Sequence, residues 1–393
     1  MTTFPLPAPR TATLERVTFG LLLAFVAAQQ ISIAGAQILL TLLLAAWVYR
    51  LAQEHGRPEA PPFFIPLLAY AGVTLVVSLF SVDPLGSFGR DKQLVLFAVV
   101  PAVYHLARGP RASTVVDVIV SAGAVTAAVG IVQFGILHYD NLGQRPHGTL
   151  GHYMTYSGIL MLVIAAAAAR LVFGTSNRVW ASLVMPALLV ALQLTFGRSA
   201  WVGVSVAVGL LFLLKDFRLL GVIPVVIALT FAFAPDSVVD RMVSIFDRKD
   251  PTSRDRVAML EIGEAMVRDH PLTGVGPNMV PRVYAQYRTA DAVNEVNPHL
   301  HNVPMHIAAE RGLPALAVWA WFLVVLVRGL IQLFKRPETK MLAAGGLAAV
   351  AGMLAAGFFE YNFGDSEFLM LFLVLVTLPF AAARPDAAPQ PAD

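Results

Sequence analysis

Twelve apolar segments follow one another along this chain, and one long polar stretch interrupts them late. They fall near 15–34, 36–52, 62–80, 94–107, 114–137, 154–173, 179–197, 200–215, 218–235, 313–334, 341–359 and 367–384. A helix needs about 20 apolar residues to cross a bilayer. With 57% hydrophobic and only 13% charged residues, the chain cannot hide its apolar surface in a water-soluble core, whose chains carry about a quarter charged residues. In lipid every backbone polar group must be satisfied internally, which helices do. The expectation is an all-α integral membrane protein of about 12 transmembrane helices with one large, partly helical loop. It divides into helices one to nine (1–235), the loop (236–312), helices ten to twelve (313–384) and a tail rich in Pro and Ala (385–393), expected to be disordered. The first segment resembles a secretory signal with Ala34-Gly35-Ala36 as its cleavage site, but the spans that follow at once favour an uncleaved helix.

Charge sets the orientation. With the N-terminus inside, the inner loops hold Arg10, Arg16, Arg50, Arg57, Arg108, Arg111, Arg170, Arg178, Lys215, Arg218, Lys335, Arg336 and Lys340. The short outer loops hold only Arg90, Lys92, Arg145 and Arg198. Cytoplasmic loops carry the excess of Lys and Arg, so the long loop lies outside. The net charge of +3 comes with no basic run and no zinc-ligand spacing, so nucleic acid is not an expected partner. With no cysteine, disulfides, thiolate metal sites and cysteine nucleophiles are excluded.

Residues 236–302 hold eight Lys/Arg and ten Asp/Glu, a mixed loop and not a basic patch. The pattern Val257, Met259, Leu260, Ile262, Met266 predicts an amphipathic helix over 254–268, ending at Asp269-His270-Pro271 because Pro cannot continue it. Gly274-Val275-Gly276-Pro277 is a turn; without a βαβ unit it is no dinucleotide signal.

The chemistry-bearing stretch runs from Pro298-His299-Leu300-His301-Asn302 to Gly312-Leu313-Pro314. Asn302 can cap a short surface helix over 303–311 that Gly312 ends. His301 then precedes the positive end of a helix dipole, which favours an uncharged imidazole, the form a general base needs. A histidine that merely bonds a loop carbonyl would read the same. A metal held by His299, His301 and His306 is conceivable, yet there is no HExxH and no Asp-x-Asp of the kind that holds a metal on a sugar diphosphate. Arg198, in Gly197-Arg198-Ser199-Ala200-Trp201, sits at the outer membrane boundary, where an Arg must be paired, line a polar cavity or snorkel. Arg254 and Arg256 carry planar forks that suit a pyrophosphate, or form a solvated pair. Arg145 lies in a polar outer loop, Gln144 to His152, and Ser81-Val82-Asp83-Pro84 in another. Tyr284 and Tyr287 are spaced to stack on sugars or to face a core.

With these residues together, the chain resembles the bacterial O-antigen ligase family, within the superfamily that includes O-antigen polymerases and protein O-oligosaccharyltransferases. The family's most specific motif is His-Asn/Ser/Gln, nine residues, Gly, two residues, then Gly, Thr or Tyr. Here it reads His301-Asn302, Val303 to Arg311, Gly312-Leu313-Pro314-Ala315, with Ala in the last place. Gly197-Arg198-Ser199-Ala200-Trp201 is similar to the family's arginine motif, and Arg256, fifteen residues before Pro271, to its loop arginine. The resemblance implies a periplasm-facing glycosyltransferase of the bacterial inner membrane. Its donor would be O-antigen on undecaprenyl pyrophosphate, its acceptor a hydroxyl of lipid A–core, and membrane lipids its surroundings. His301 would act as base, Arg198 and Arg256, with Arg254, would hold the leaving pyrophosphate, and Arg145, Asn302 and Tyr284 would contact substrate. No cofactor and no metal is expected, and one displacement would invert the anomeric centre. A polymerase or protein O-oligosaccharyltransferase is the nearest alternative, and a transporter the alternative of another class. Against the transporter, the polar residues gather at one face and no internal repeat is seen.

Overall fold

A computed structural model describes residues 9–244 and 250–384; the tail expected at 385–393 lies outside them. The described residues are helical and contain no strand. The first six helices are α1 (Pro9–Ala28), α2 (Ile33–Gln53), α3 (Phe64–Leu79), α4 (Pro84–Asp91), α5 (Val99–Leu106) and α6 (Arg111–Gly135). Next come α7 (Tyr153–Phe173), α8 (Arg178–Leu194), α9 (Arg198–Lys215) and α10 (Val222–Phe233). The long loop holds α11 (Asp236–Val243), α12 (Pro251–Asp269) and α13 (Val280–Tyr287), followed by α14 (Val303–Phe334), α15 (Lys340–Gly357) and α16 (Ser366–Ala382). By length and composition α2, α6, α7, α9, α14 and α15 can each cross a membrane, and shorter apolar helices lie at 64–79, 178–194, 217–233 and 366–382.

Two expected spans are redrawn. The first ends at Ala28, with buried Gln29 and Gln30 in a turn before Ser32 caps α2, so 15–34 is not one helix. The segment 94–107 is a 3-10 run, Lys92–Ala98, leading into α5. Pro101 has no N–H to give Phe97, so α-type bonding cannot run back through that point.

α7 and α16 are buried nearly all round, as helices apolar on every face must be. α9 and α15 approach closely where Gly203 meets Gly352: a Cβ on Gly203 would strike Met161 and lie 3.0 Å from the Gly352 carbonyl. Small residues permit this approach between membrane helices. It brings the first turn of α9 alongside the loop that follows α15, and the functional residues lie there.

The expected break at Gly312 lies inside α14, where φ 77° and ψ 170° join two helices across a kink. The first of them ends on the Gly274-Val275-Gly276 turn. Val275 N donates to Ala309 O and Gly276 N to Glu310 O, both at 2.9 Å, and Leu313 N donates to Pro271 O at 2.8 Å. Carbonyls orphaned by the kink thus find donors in the loop. Gly274 (φ 63°) and Gly312 both have positive φ, and a Cβ on either would collide with backbone of the other segment: Gly274 with Glu310 and Arg311, Gly312 with Leu272. The segment after α3 docks on the same turn, with Val82 N donating to Val275 O at 3.1 Å and Ser87 Oγ to Pro277 O at 2.9 Å. Gly312→Ala is therefore expected to fail in assembly. Its yield of detergent-extracted, monodisperse protein should fall severalfold, whereas Gly89→Ala, with no atom near its Cβ, should extract like the parent.

Candidate active site

The turn between α8 and α9 places the first arginine. Phe196 has φ 56°, an uncommon conformation for a bulky residue, and its ring packs 6.2 Å from that of Phe134. Arg198 then opens α9, only 5% exposed. Its Nη1 donates to Ser244 O and Oγ, each at 3.0 Å, and its Nη2 to Asp250 Oδ1 at 2.9 Å. Asp250 also caps α12 by accepting from Ser253 N at 3.1 Å, and lies 3.5 Å from Arg241. Burial would raise the Asp250 carboxyl, but the Arg198 hydrogen bond and charge, with Ser253 N–H, hold it below the usual range. Burial, then the charges of Arg198 and Arg145, pull Arg241 down to about 10 despite Asp250.

Arg256 follows six residues after that cap. Its guanidinium lies 5.8 Å from the Phe359 ring, and its buried Nε has no hydrogen-bond partner among the described residues. Burial lowers its pKa, and Glu360 counters this. It forms no ion pair among the described residues, unlike Arg198, so its fork is open to an anion.

The histidine comes from the loop before α14. His301 has φ 49°, a strained backbone for a residue with a ring, of the sort that clusters at functional sites. Asn302 Oδ1 caps the helix by accepting from Met305 N at 2.9 Å, and its Nδ2 donates to Phe358 O at 3.2 Å. His301 Nδ1 lies 3.1 Å from Glu360 Oε2, and His299 Nε2 lies 3.4 Å from Glu360 Oε1. The two imidazole rings meet edge to face with centroids 4.3 Å apart. Burial would raise Glu360, but the His301 hydrogen bond and the charges of His301, His299 and Arg256 hold it down to about 2. An ionised carboxylate only accepts, so His301 Nδ1–H donates to it, and the uncharged imidazole held this way carries its lone pair on Nε2. Burial pushes His299 down to about 4, against the pull of Glu360.

Arg198, Ser253, Arg256, His301, Asn302 and Phe359 line one cavity of about 220 Å³. Four residues singled out from sequence, Arg198, Arg256, His301 and Asn302, thus share one space. Arg145 does not line it; its charge acts on that of Arg198, its guanidinium lies 4.2 Å over the Tyr153 ring and its Nε donates to Leu142 O. Arg254 does not join them: its side chain is 56% exposed and lies 3.9 Å from Asp291. Nor does Tyr284, which is 1% exposed and packs with Met259, Ile262 and Leu300 in the core of the loop, its hydroxyl 3.3 Å from Asn294 O. That burial removes it from the sugar-contacting role. Arg241 and Asp250 are not singled out from sequence, and Glu360 is not paired with His301; their only signal is charge, the first two in the long loop and Glu360 in a short connection between spans.

The three-histidine metal set does not form. His306 is buried with Nε2 3.2 Å from Glu310 Oε2, and its Nδ1 accepts from Leu300 N. His299, His301 and Glu360 instead bring one ligand atom each within 4.8 Å of the others. A donor set of two imidazoles and a carboxylate suits a transition metal as well as it suits a hydrogen-bonded relay.

These features define a helical membrane protein with a cavity lined by two arginines and a histidine. Residues 181–320 match the family model described as O-antigen ligase, and the match supports membership of that family. The match contains Arg198, Arg256 and His301; Arg145 and Glu360 lie outside it. No curated protein matches the chain.

Proposed function

We propose that this protein is an O-antigen ligase of the bacterial inner membrane, its cavity facing the periplasm, which moves a polysaccharide from undecaprenyl pyrophosphate to a sugar hydroxyl of lipid A–core. One observation carries the reading: Arg256, with no ion pair among the described residues, the buried Arg198 and a carboxylate-held imidazole line the same cavity. As the acceptor oxygen attacks the anomeric carbon, His301 Nε2 takes its proton. The bond from that carbon to the pyrophosphate oxygen breaks, and the electron pair stays on the pyrophosphate. Arg256 and Arg198 stabilise the charge that grows there. Attack opposite the leaving group inverts the centre. An apolar groove of about 310 Å³ among α7 to α10, lined by Trp201, Val204 and Val208 on the next turns of α9, offers hydrocarbon walls to a polyprenyl tail.

The deciding experiment is the lipopolysaccharide profile of a deletion strain. Loss of long chains with accumulation of lipid-linked polymer is the expected result. Absence of the polymer itself would make the protein a polymerase, and a normal profile would overturn both.

Two outcomes follow for purified protein. Arg256→Lys should lower turnover about a hundredfold, because an ammonium cannot form the bidentate fork. Arg254→Lys should stay within about threefold, since that side chain lies outside the cavity. Equal losses in both would reduce Arg256 to one loop charge among several. Ligation should also persist in excess EDTA, with the arginines carrying the leaving charge; loss restored by one divalent ion would make His299, His301 and Glu360 metal ligands.

A further inference from the structure

Glu360 joins the walls of two cavities. Its Oε2 holds His301, which lines the cavity just described, and its Oε1 faces His299, which lines another. The second cavity has a volume of about 180 Å³ and is lined by His152, Thr155, His299, Glu360, Asn362 and Asp365, with Tyr361 and Phe368. Among the described residues no Lys or Arg lines it. Its charge comes from two carboxylates, so it disfavours a pyrophosphate. What it offers is a mixture of donors and acceptors beside aromatic rings, the surroundings in which a hydroxylated ring is held.

Its polar groups are partly committed. Thr155 Oγ1 donates to Asp365 Oδ2 at 2.5 Å, while Asp365 Oδ1 caps α16 through Glu367 N and Phe368 N. Two buried atoms of its lining residues have no hydrogen-bond partner among the described residues: His299 Nδ1 and Asn362 Oδ1. Asn362 is only 7% exposed. Buried polar atoms left unpaired are costly, and two ligand hydroxyls, one donating to each, would satisfy them. His152 is exposed on this wall, stacked on Tyr153 at 5.1 Å.

We propose that this second cavity is the acceptor subsite: it receives the uncharged sugar ring that bears the nucleophilic hydroxyl, one imidazole away from the pyrophosphate cavity. The assignment rests on the ligase reading. Donor and acceptor then lie on either side of the Glu360-held histidine pair, and the hydroxyl reaches His301 past His299.

The test uses full-length protein in detergent, with two probes, core oligosaccharide freed from its lipid and inorganic pyrophosphate. His152→Ala and Thr155→Val should each weaken binding of the oligosaccharide about tenfold, the scale of one hydrogen bond, and leave pyrophosphate binding unchanged. Arg256→Ala should do the reverse. In ligation assays both acceptor-side variants should raise the acceptor KM and not the donor KM. Unchanged oligosaccharide binding in His152→Ala and Thr155→Val, with the parent ligating normally, would overturn the subsite and leave the ligase reading standing. A parent that binds pyrophosphate but no core oligosaccharide and shows no ligation would overturn both. If Thr155→Val misfolds, His152→Ala, altered at an exposed position, still decides.

Discussion

His301→Asn should abolish polysaccharide transfer while leaving the protein folded and able to bind its lipid-linked donor. Asparagine is the informative replacement because His301 sits at φ 49°, where Asn is tolerated better than most residues. It keeps a hydrogen-bonding group but cannot take up a proton at neutral pH. Loss of a general base costs about 10²–10⁴-fold in rate, and the loss should fall on kcat, with donor affinity nearly unchanged. His301→Gln should behave alike but extract less well, since its backbone is strained there. Turnover near that of the parent in the Asn variant would leave His301 a loop-shaping residue and return the search for the base to His299.

The second large effect is expected at Glu360, which acts through His301 as a positioning residue. Glu360→Gln removes the ionised acceptor that fixes His301 Nδ1–H, and the Gln amide can present its NH₂ to the ring and turn the tautomer over. Where a carboxylate orients a catalytic imidazole in serine hydrolases, the same change costs about 10⁴-fold; here the loss should lie between about 10² and 10⁴. A cycle of variants separates orientation from packing. If Glu360 works through His301, the His301→Asn, Glu360→Gln double variant should be no slower than His301→Asn alone. Multiplying losses would mean independent work at two places, and full activity in Glu360→Gln would remove the dyad from the chemistry.

Much of this was legible in the sequence because it is local. Apolar runs long enough for helices fall on helices, Asn302 caps, and Gly312 breaks the helix, since each depends on residues a few positions apart. Arg254 and Arg256 could also have been separated. Two residues apart on a helix turn side chains by about 200°, so only one can face a given cavity. What the sequence hid depends on packing. Glu360 lies 59 positions from His301 and meets it because α15 runs back along α14, setting Gly357 against Val303. Asp250 and Arg241 join Arg198 through the loop's fold, which no periodicity encodes. Tyr284 misled for a plain reason: an aromatic stripe at helical spacing looks the same whether it faces sugar or core, and here it faces core.

The interlock of Gly274 with Gly312 has a genetic consequence. Each glycine faces main-chain atoms of the other segment, so there is no opposing side chain to trim in compensation. A pair of packed side chains can trade volume between partners, but this pair cannot. A suppressor screen begun from a Gly312→Ala strain should therefore return true revertants at codon 312 and changes that raise expression, with no allele-specific partner at 271–276.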